Sequence, residues 1–228
     1  MRNSLAVLLT AILYTGIAGA AEADWISLFN GKDLTGFEQK GGKATYKVED
    51  GAIVGTTVPN TDNSFLCTTE HYGDFVLEFE FQGHPVMNSG VQFRSDSLDK
   101  YKKGRVHGYQ CELEEEGREK RWSCGIYDEA RRGWLYLREE DEGTEKDAAF
   151  TEQCKRLWKA GDWNLVRIEA KGDHIRTWLN GELRADLKDD MTSTGFIGLQ
   201  VHGVGDKTEP MSVRWRNIRV QKLEGAAK

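Results

Sequence analysis

Residues 75–81 run Phe-Val-Leu-Glu-Phe-Glu-Phe, and this alternation constrains the fold more than any other stretch of the chain. Successive side chains leave a strand on opposite sides, so a period of two marks an extended segment with one face on a core. Phe75, Leu77, Phe79 and Phe81 point inward, and Val76, Glu78 and Glu80 point outward. Four large apolar side chains on one face of a sheet need a second layer to cover them.

The rest of the chain repeats the theme. Asp50-Gly51 and Asn180-Gly181 are two-residue hairpin turns, so 46–49 pairs with 52–55 and 174–179 with 183–187. Further strands are predicted over 25–29, 89–94, 163–170, 196–202 and 211–220. Only 147–158 has a helical pattern. Many strands, frequent Gly turns and three prolines predict an all-β fold, a sandwich of two antiparallel sheets. Residues 21–223 read as one domain and 224–228 as a tail.

The start of the chain has a different character. Met1-Arg2-Asn3 is positive, residues 4–17 are apolar, and Ala18-Gly19-Ala20 is a small-residue cleavage signal. This is the pattern of a signal peptide over 1–20, too short to span a bilayer, and it predicts an exported protein. A formal net charge of −6 gives no electrostatic reason to expect nucleic acid or an anionic membrane as partner. Cys67, Cys111, Cys124 and Cys154 allow two disulfides in an exported protein, with Cys111–Cys124 a plausible bridge, or four buried thiols.

Chemistry concentrates in residues 108–134. A strand from Gly108 puts Tyr109, Cys111 and Leu113 on one face, and Gln110, Glu112 and Glu114 on the other. A second strand over 122–127 leads into the turn Asp128-Glu129-Ala130-Arg131-Arg132, and the charge run 114–120 reads as a solvated turn. Elsewhere, Val91 and Phe93 face inward while Gln92 and Arg94 share the opposite face. Ile197, Leu199 and Val201 pack inward, Gln200 and His202 point away, and Gly198 leaves room above the sheet. Three strands thus offer the pairs Gln92/Arg94, Gln110/Glu112 and Gln200/His202. A solvated sheet face is richer in Lys, Glu, Thr and Ser, so this composition favours a ligand site.

The order of motifs carries a resemblance. Phe29-Asn30-Gly31-Lys32-Asp33-Leu34, Asn88-Ser89-Gly90-Val91-Gln92-Phe93-Arg94, Gly108-Tyr109-Gln110-Cys111-Glu112 and Ile126-Tyr127-Asp128-Glu129-Ala130-Arg131-Arg132 come first. Asp162-Trp163-Asn164, Leu179-Asn180-Gly181, Gly198-Leu199-Gln200-Val201-His202-Gly203 and Arg216-Asn217-Ile218-Arg219-Val220 follow. In this order the chain resembles the 3-keto-disaccharide hydrolase domain family over almost all of 21–223. The resemblance implies a concanavalin-A-like jelly-roll sandwich with a carbohydrate cleft on the concave sheet, and it alone places the 127–132 turn beside that cleft. Many members carry aspartate where Glu112 stands, so the carboxylate here sits one methylene further out.

A ketone at C3 of a sugar acidifies the hydrogen at C2, and its removal drives off the C1 substituent; water then adds. Such a route needs a base, a stabiliser of the enolate oxygen and an acid for the leaving group. Glu112 and His202 are the candidate bases. Arg94 with Gln110 are candidates for the enolate, and Tyr127, Asp128 and Glu129 for the leaving oxygen. Asn88, Gln92, Arg131 and Gln200 are candidate substrate-binding residues. A divalent metal ion held by His202, Glu112 and His107 is an alternative Lewis acid, and two-carboxylate glycosidase chemistry is a second route. A non-catalytic carbohydrate-binding module or lectin on the same sandwich is the rival reading, and an adhesive exported domain a third. The first expectation is simple: exported protein begins near Ala21, and an intact mass that retains Met1 would contradict it.

Overall fold

A computed structural model describes residues 24–223 apart from 115, 116 and 118. The predicted signal peptide and the 224–228 tail lie outside the described residues. The strands are, in chain order, β1 (Ile26–Ser27), β2 (Phe37–Gly41), β3 (Thr45–Glu49), β4 (Ala52–Thr56), β5 (Ser64–Thr68), β6 (Phe75–Gln82), β7 (Ser89–Asp96) and β8 (His107–Leu113). They continue as β9 (Ile126–Glu129), β10 (Gly133–Tyr136), β11 (Asn164–Lys171), β12 (His174–Leu179), β13 (Glu182–Lys188), β14 (Phe196–Val201) and β15 (Ser212–Lys222). A single α-helix among the described residues, α1 (Glu145–Leu157), precedes β11. Thr144 caps it by accepting a hydrogen bond from the Asp147 amide.

All pairings are antiparallel and form two sheets. One is ordered β13-β12-β11-β6-β15-β4-β3 with β1 added to β15, the other β10-β9-β8-β7-β14-β5-β2. Asp50 and Gly51 have φ of 50° and 71°, and Asn180 and Gly181 49° and 91°, the left-handed pairs that the two predicted hairpin turns require. The core lies between the sheets. Phe75, Leu77, Phe79 and Phe81 of β6 meet Val91 and Phe93 of β7, Tyr109, Cys111 and Leu113 of β8, and Ile197, Leu199 and Val201 of β14.

Several expectations need correcting. The 122–127 segment is a strand only from Ile126, because Cys124 turns the chain with φ of 64° and the Gly125 amide closes onto the Trp122 carbonyl at 2.8 Å. Glu114 is buried, not a solvated turn residue, since its carboxylate accepts the Trp122 amide at 2.6 Å. Of the two alternatives for the cysteines, the structure has the four free, buried thiols. Strands β2, β5 and β10 lack a clear alternation and were not predicted; β5 is buried along its whole length.

Phe79 is fully buried at the centre of this core. Phe79→Ala is expected to cost on the order of 3–5 kcal/mol. Chemical denaturation checks this, and an unchanged midpoint would mean that β6 does not face the second sheet.

Candidate functional site

The same alternation that sends Val91, Cys111 and Leu199 into the core turns their neighbours to the outside of the second sheet. Register then decides who meets whom. Gln92 lies opposite Gln110, Gly90 lies opposite Glu112 on one side and Gln200 on the other, and Tyr127 lies opposite Gln110. Trp134 of β10 pairs with Tyr127 and packs edge-on against it at 5.4 Å between ring centres. Together Gln110, Glu112, Tyr127, Glu129, Trp134 and Gln200 line a hollow of about 280 Å³. Asn63, Asn88, Arg105 and His202 complete its wall. A basin of about 690 Å³ adjoins it, sharing Asn63, Arg105, Glu129 and His202 and continuing to Lys102, Lys103 and Phe65.

Glu112 is the centre of the arrangement. Its backbone is held on both sides, the amide donating to Gly125 at 3.0 Å and the carbonyl accepting from Cys124 at 2.7 Å. The side chain is 4 % exposed. One carboxylate oxygen accepts from Asn88 Nδ2, and the other from Gln110 Nε2 at 2.8 Å. Burial pushes its pKa up to about 8, the Glu114 and Glu129 carboxylates push the same way, and the Asn88 and Gln110 amides pull against them. Tyr127 is also raised, first by burial and then by Glu129 and Glu112, so its phenol keeps its proton through the neutral range. Glu129 accepts from Arg105 Nη2 at 3.1 Å. His202 stands just past the end of β14, exposed, with Nδ1 on the Gly203 carbonyl at 2.7 Å.

Other predicted site residues go elsewhere. Arg94 is not in the hollow. A bulge between Phe93 and Asp96, with φ of 45° at Arg94, breaks the alternation and carries the guanidinium to Gly73 O at 2.9 Å, Gly172 O at 2.8 Å and Asp74 at 2.8 Å. Asp128 alternates with Tyr127 and Glu129 and so faces away. Its fully buried carboxylate accepts from Arg131 Nε at 2.6 Å and from Arg132 Nε at 2.5 Å, clamping the turn whose left-handed residue is Ala130. Asp128 and Arg131 therefore shape the turn and do not line the hollow. Gln92 lies beneath the floor, fully buried, donating to Gln110 Oε1 at 2.5 Å. Gly198 leaves no open space, because a Cβ there would meet Cys67 Sγ at 3.2 Å.

Of the proposed metal ligands, Glu112 and His202 share the hollow, but His107 does not join them. His107 packs on Tyr101 at 4.1 Å, with Nδ1 against the Arg105 carbonyl at 2.8 Å. Among the described residues no group of three or more His, Cys, Asp or Glu side chains is arranged to hold a metal ion. Sequence reasoning missed Asn63, Arg105 and Trp134. Trp134 carried a signal, one aromatic in a short stretch two residues past the arginine pair, but Asn63 and Arg105 sit in connections with no periodicity to place them.

The family model described as 3-keto-alpha-glucoside-1,2-lyase-like domain matches residues 24–221. The chain belongs to this family. The lyase-like domain shares its fold with solved structures of low identity. A candidate glycosyl hydrolase from Parabacteroides distasonis ATCC 8503 is 22% identical, with a TM-score of 0.60 over 90% of this chain and 95% of that one. A Bacillus subtilis protein with a galectin-like fold gives 12% and 0.58, over 83% and 90%. The Bacillus licheniformis beta-glucanase gives 10% and 0.52, over 90% of this chain and 100% of that one. No curated protein matches the chain in sequence. The fold is thus the glucanase- and galectin-like jelly-roll sandwich.

Proposed function

We propose that the domain cleaves 3-keto-glycosides by elimination across C1 and C2, with Glu112 as the base. The observation that carries the reading is the Glu112 carboxylate itself, buried in the wall of the hollow and oriented by Asn88 and Gln110. A carboxylate removed from water is a far stronger base than one at the surface, and its pKa near 8 suits proton abstraction beside a carbonyl. Glu112 takes the C2 hydrogen as a proton, the C2–H electron pair moves towards C3 as the enolate, and the C1–O bond then breaks with its pair leaving on the aglycone oxygen. Tyr127, held protonated, supplies the proton to that oxygen. Water adding across the new double bond gives net hydrolysis. Glu129, tied to Arg105, and His202 form the side towards the larger basin, which has the room for the leaving portion.

Incubation with 3-keto-trehalose or 3-keto-lactose should release free glucose, whereas a non-catalytic binding module would release none. Glu112→Gln keeps the volume and loses the base, so turnover should fall by at least about a hundredfold. In the native protein the rate should rise with pH through about 8, as the carboxylate ionises. Stability should move the other way. A carboxyl raised in the folded state contributes stability below its ordinary value, and that contribution is lost as pH climbs to about 8. The melting temperature of Glu112→Gln relative to the native protein should therefore improve between pH 5 and pH 9. Near-full activity in Glu112→Gln would remove Glu112 from the role.

A further inference from the structure

With Arg94 drawn away by its bulge, the hollow contains an unassigned requirement: a donor for the oxygen on which the enolate charge collects. Three glutamine amides form a row, Gln92 on β7 beneath the floor and Gln110 on β8 and Gln200 on β14 lining the hollow. Each amide has a donor end and an acceptor end, and the row is anchored where there is no choice. In its ionised, basic form the Glu112 carboxylate only accepts, and Gln110 turns its Nε2 to it, at 2.8 Å. The oxygen of Gln110 then takes the amine of Gln92 at 2.5 Å. The same Gln110 Nε2 reaches Gln200 Oε1 at 3.4 Å, so the oxygen end of Gln200 is also taken. What remains is Gln200 Nε2, a sealed amide nitrogen with no hydrogen-bond partner, on a residue that is fully buried and lines the hollow with Glu112.

A glycine makes the row continuous. Gly90 lies between Glu112 and Gln200 in the register, and the Gln110 side chain passes over it; a Cβ at 90 would meet Gln110 Cδ at 2.6 Å. Gly90 has no left-handed φ, so the backbone does not demand glycine there, and close passage of the amide does. A buried donor without a partner is costly, and a ligand oxygen on the floor would satisfy it. The 3.4 Å contact is the longest in the row and so the weakest restraint on the Gln200 amide.

We propose that Gln200 donates its Nε2 to the carbonyl oxygen of the keto sugar, with Gln110 and Gly90 as positioning residues that keep this donor in phase with the base. The inference rests on the elimination reading above. One Gln110 nitrogen serves both Glu112 Oε2 and Gln200 Oε1, so a single amide links the base to the residue that carries the donor. The group recognised is a carbonyl next to an acidic C–H, and the unoxidised sugar, with a hydroxyl at C3, gains less from it.

Gln200→Met keeps the bulk without the donor. Removing one such donor from a developing oxyanion typically lowers kcat by about a hundredfold to a thousandfold, and this loss is expected with KM for 3-keto-trehalose changed by less than about threefold. Gly90→Ala leaves base and donor chemically intact and should reproduce the kcat loss; should it fail to fold, Gln110→Met displaces the same amide without a backbone change. Gln200→Met with kcat within about threefold of the native enzyme would overturn the proposal. If the native protein turns over nothing, the elimination reading fails, and calorimetric binding of 3-keto-trehalose and of trehalose decides the inference by itself. A preference for the keto sugar that Gln200→Met erases supports it. A preference that survives, or none at all, refutes it.

Discussion

A carboxylate kept from water on the outer face of a sheet is the constraint around which this site is built. An ionised group so placed is costly unless hydrogen bonds compensate it. Glu112 receives them from Asn88 and Gln110, and its own backbone is pinned on both sides by Cys124 and Gly125. Donors of this kind must themselves be oriented, which is why glutamine and not lysine or serine fills the neighbouring strands. The unusual composition of the face follows from the burial of one charge.

The fold supplies that burial through its two layers. One face of β7, β8 and β14 is committed to the core with the phenylalanines of β6, and the strands are held there by packing worth far more than any polar contact. The opposite face is then free to carry chemistry whose geometry the core keeps rigid. The Tyr127–Arg132 turn closes the side of the hollow in the same economical way. Asp128 spends its charge on Arg131 and Arg132, and so holds Tyr127 and Glu129 towards the hollow.

Much of this is legible in the residues themselves. The alternation in 75–81 specifies the core face of β6, and the Gln92, Gln110/Glu112 and Gln200 positions follow from the same period. The reading fails where the period fails. Arg94 shares a face with Gln92 only if the strand is regular, and one extra residue in a bulge rotates it out. Asp128 and Glu129 share a face only if the turn begins at Asp128, whereas the strand runs on to Glu129 and alternates. Glu114 looked solvated because its partner, the Trp122 amide, is supplied by chain folding back eight residues later. Asn63 and Arg105 come from connections, where sequence carries no facing information.

Removal of the C2 hydrogen by Glu112 is the step on which the elimination depends, and that bond can be watched directly. With 3-keto-trehalose deuterated at C2, the native protein should release deuterium to solvent in step with glucose, above the uncatalysed exchange, and Glu112→Gln should release neither. Glucose released while the sugar keeps its C2 deuterium would contradict the elimination and point instead to direct cleavage at C1.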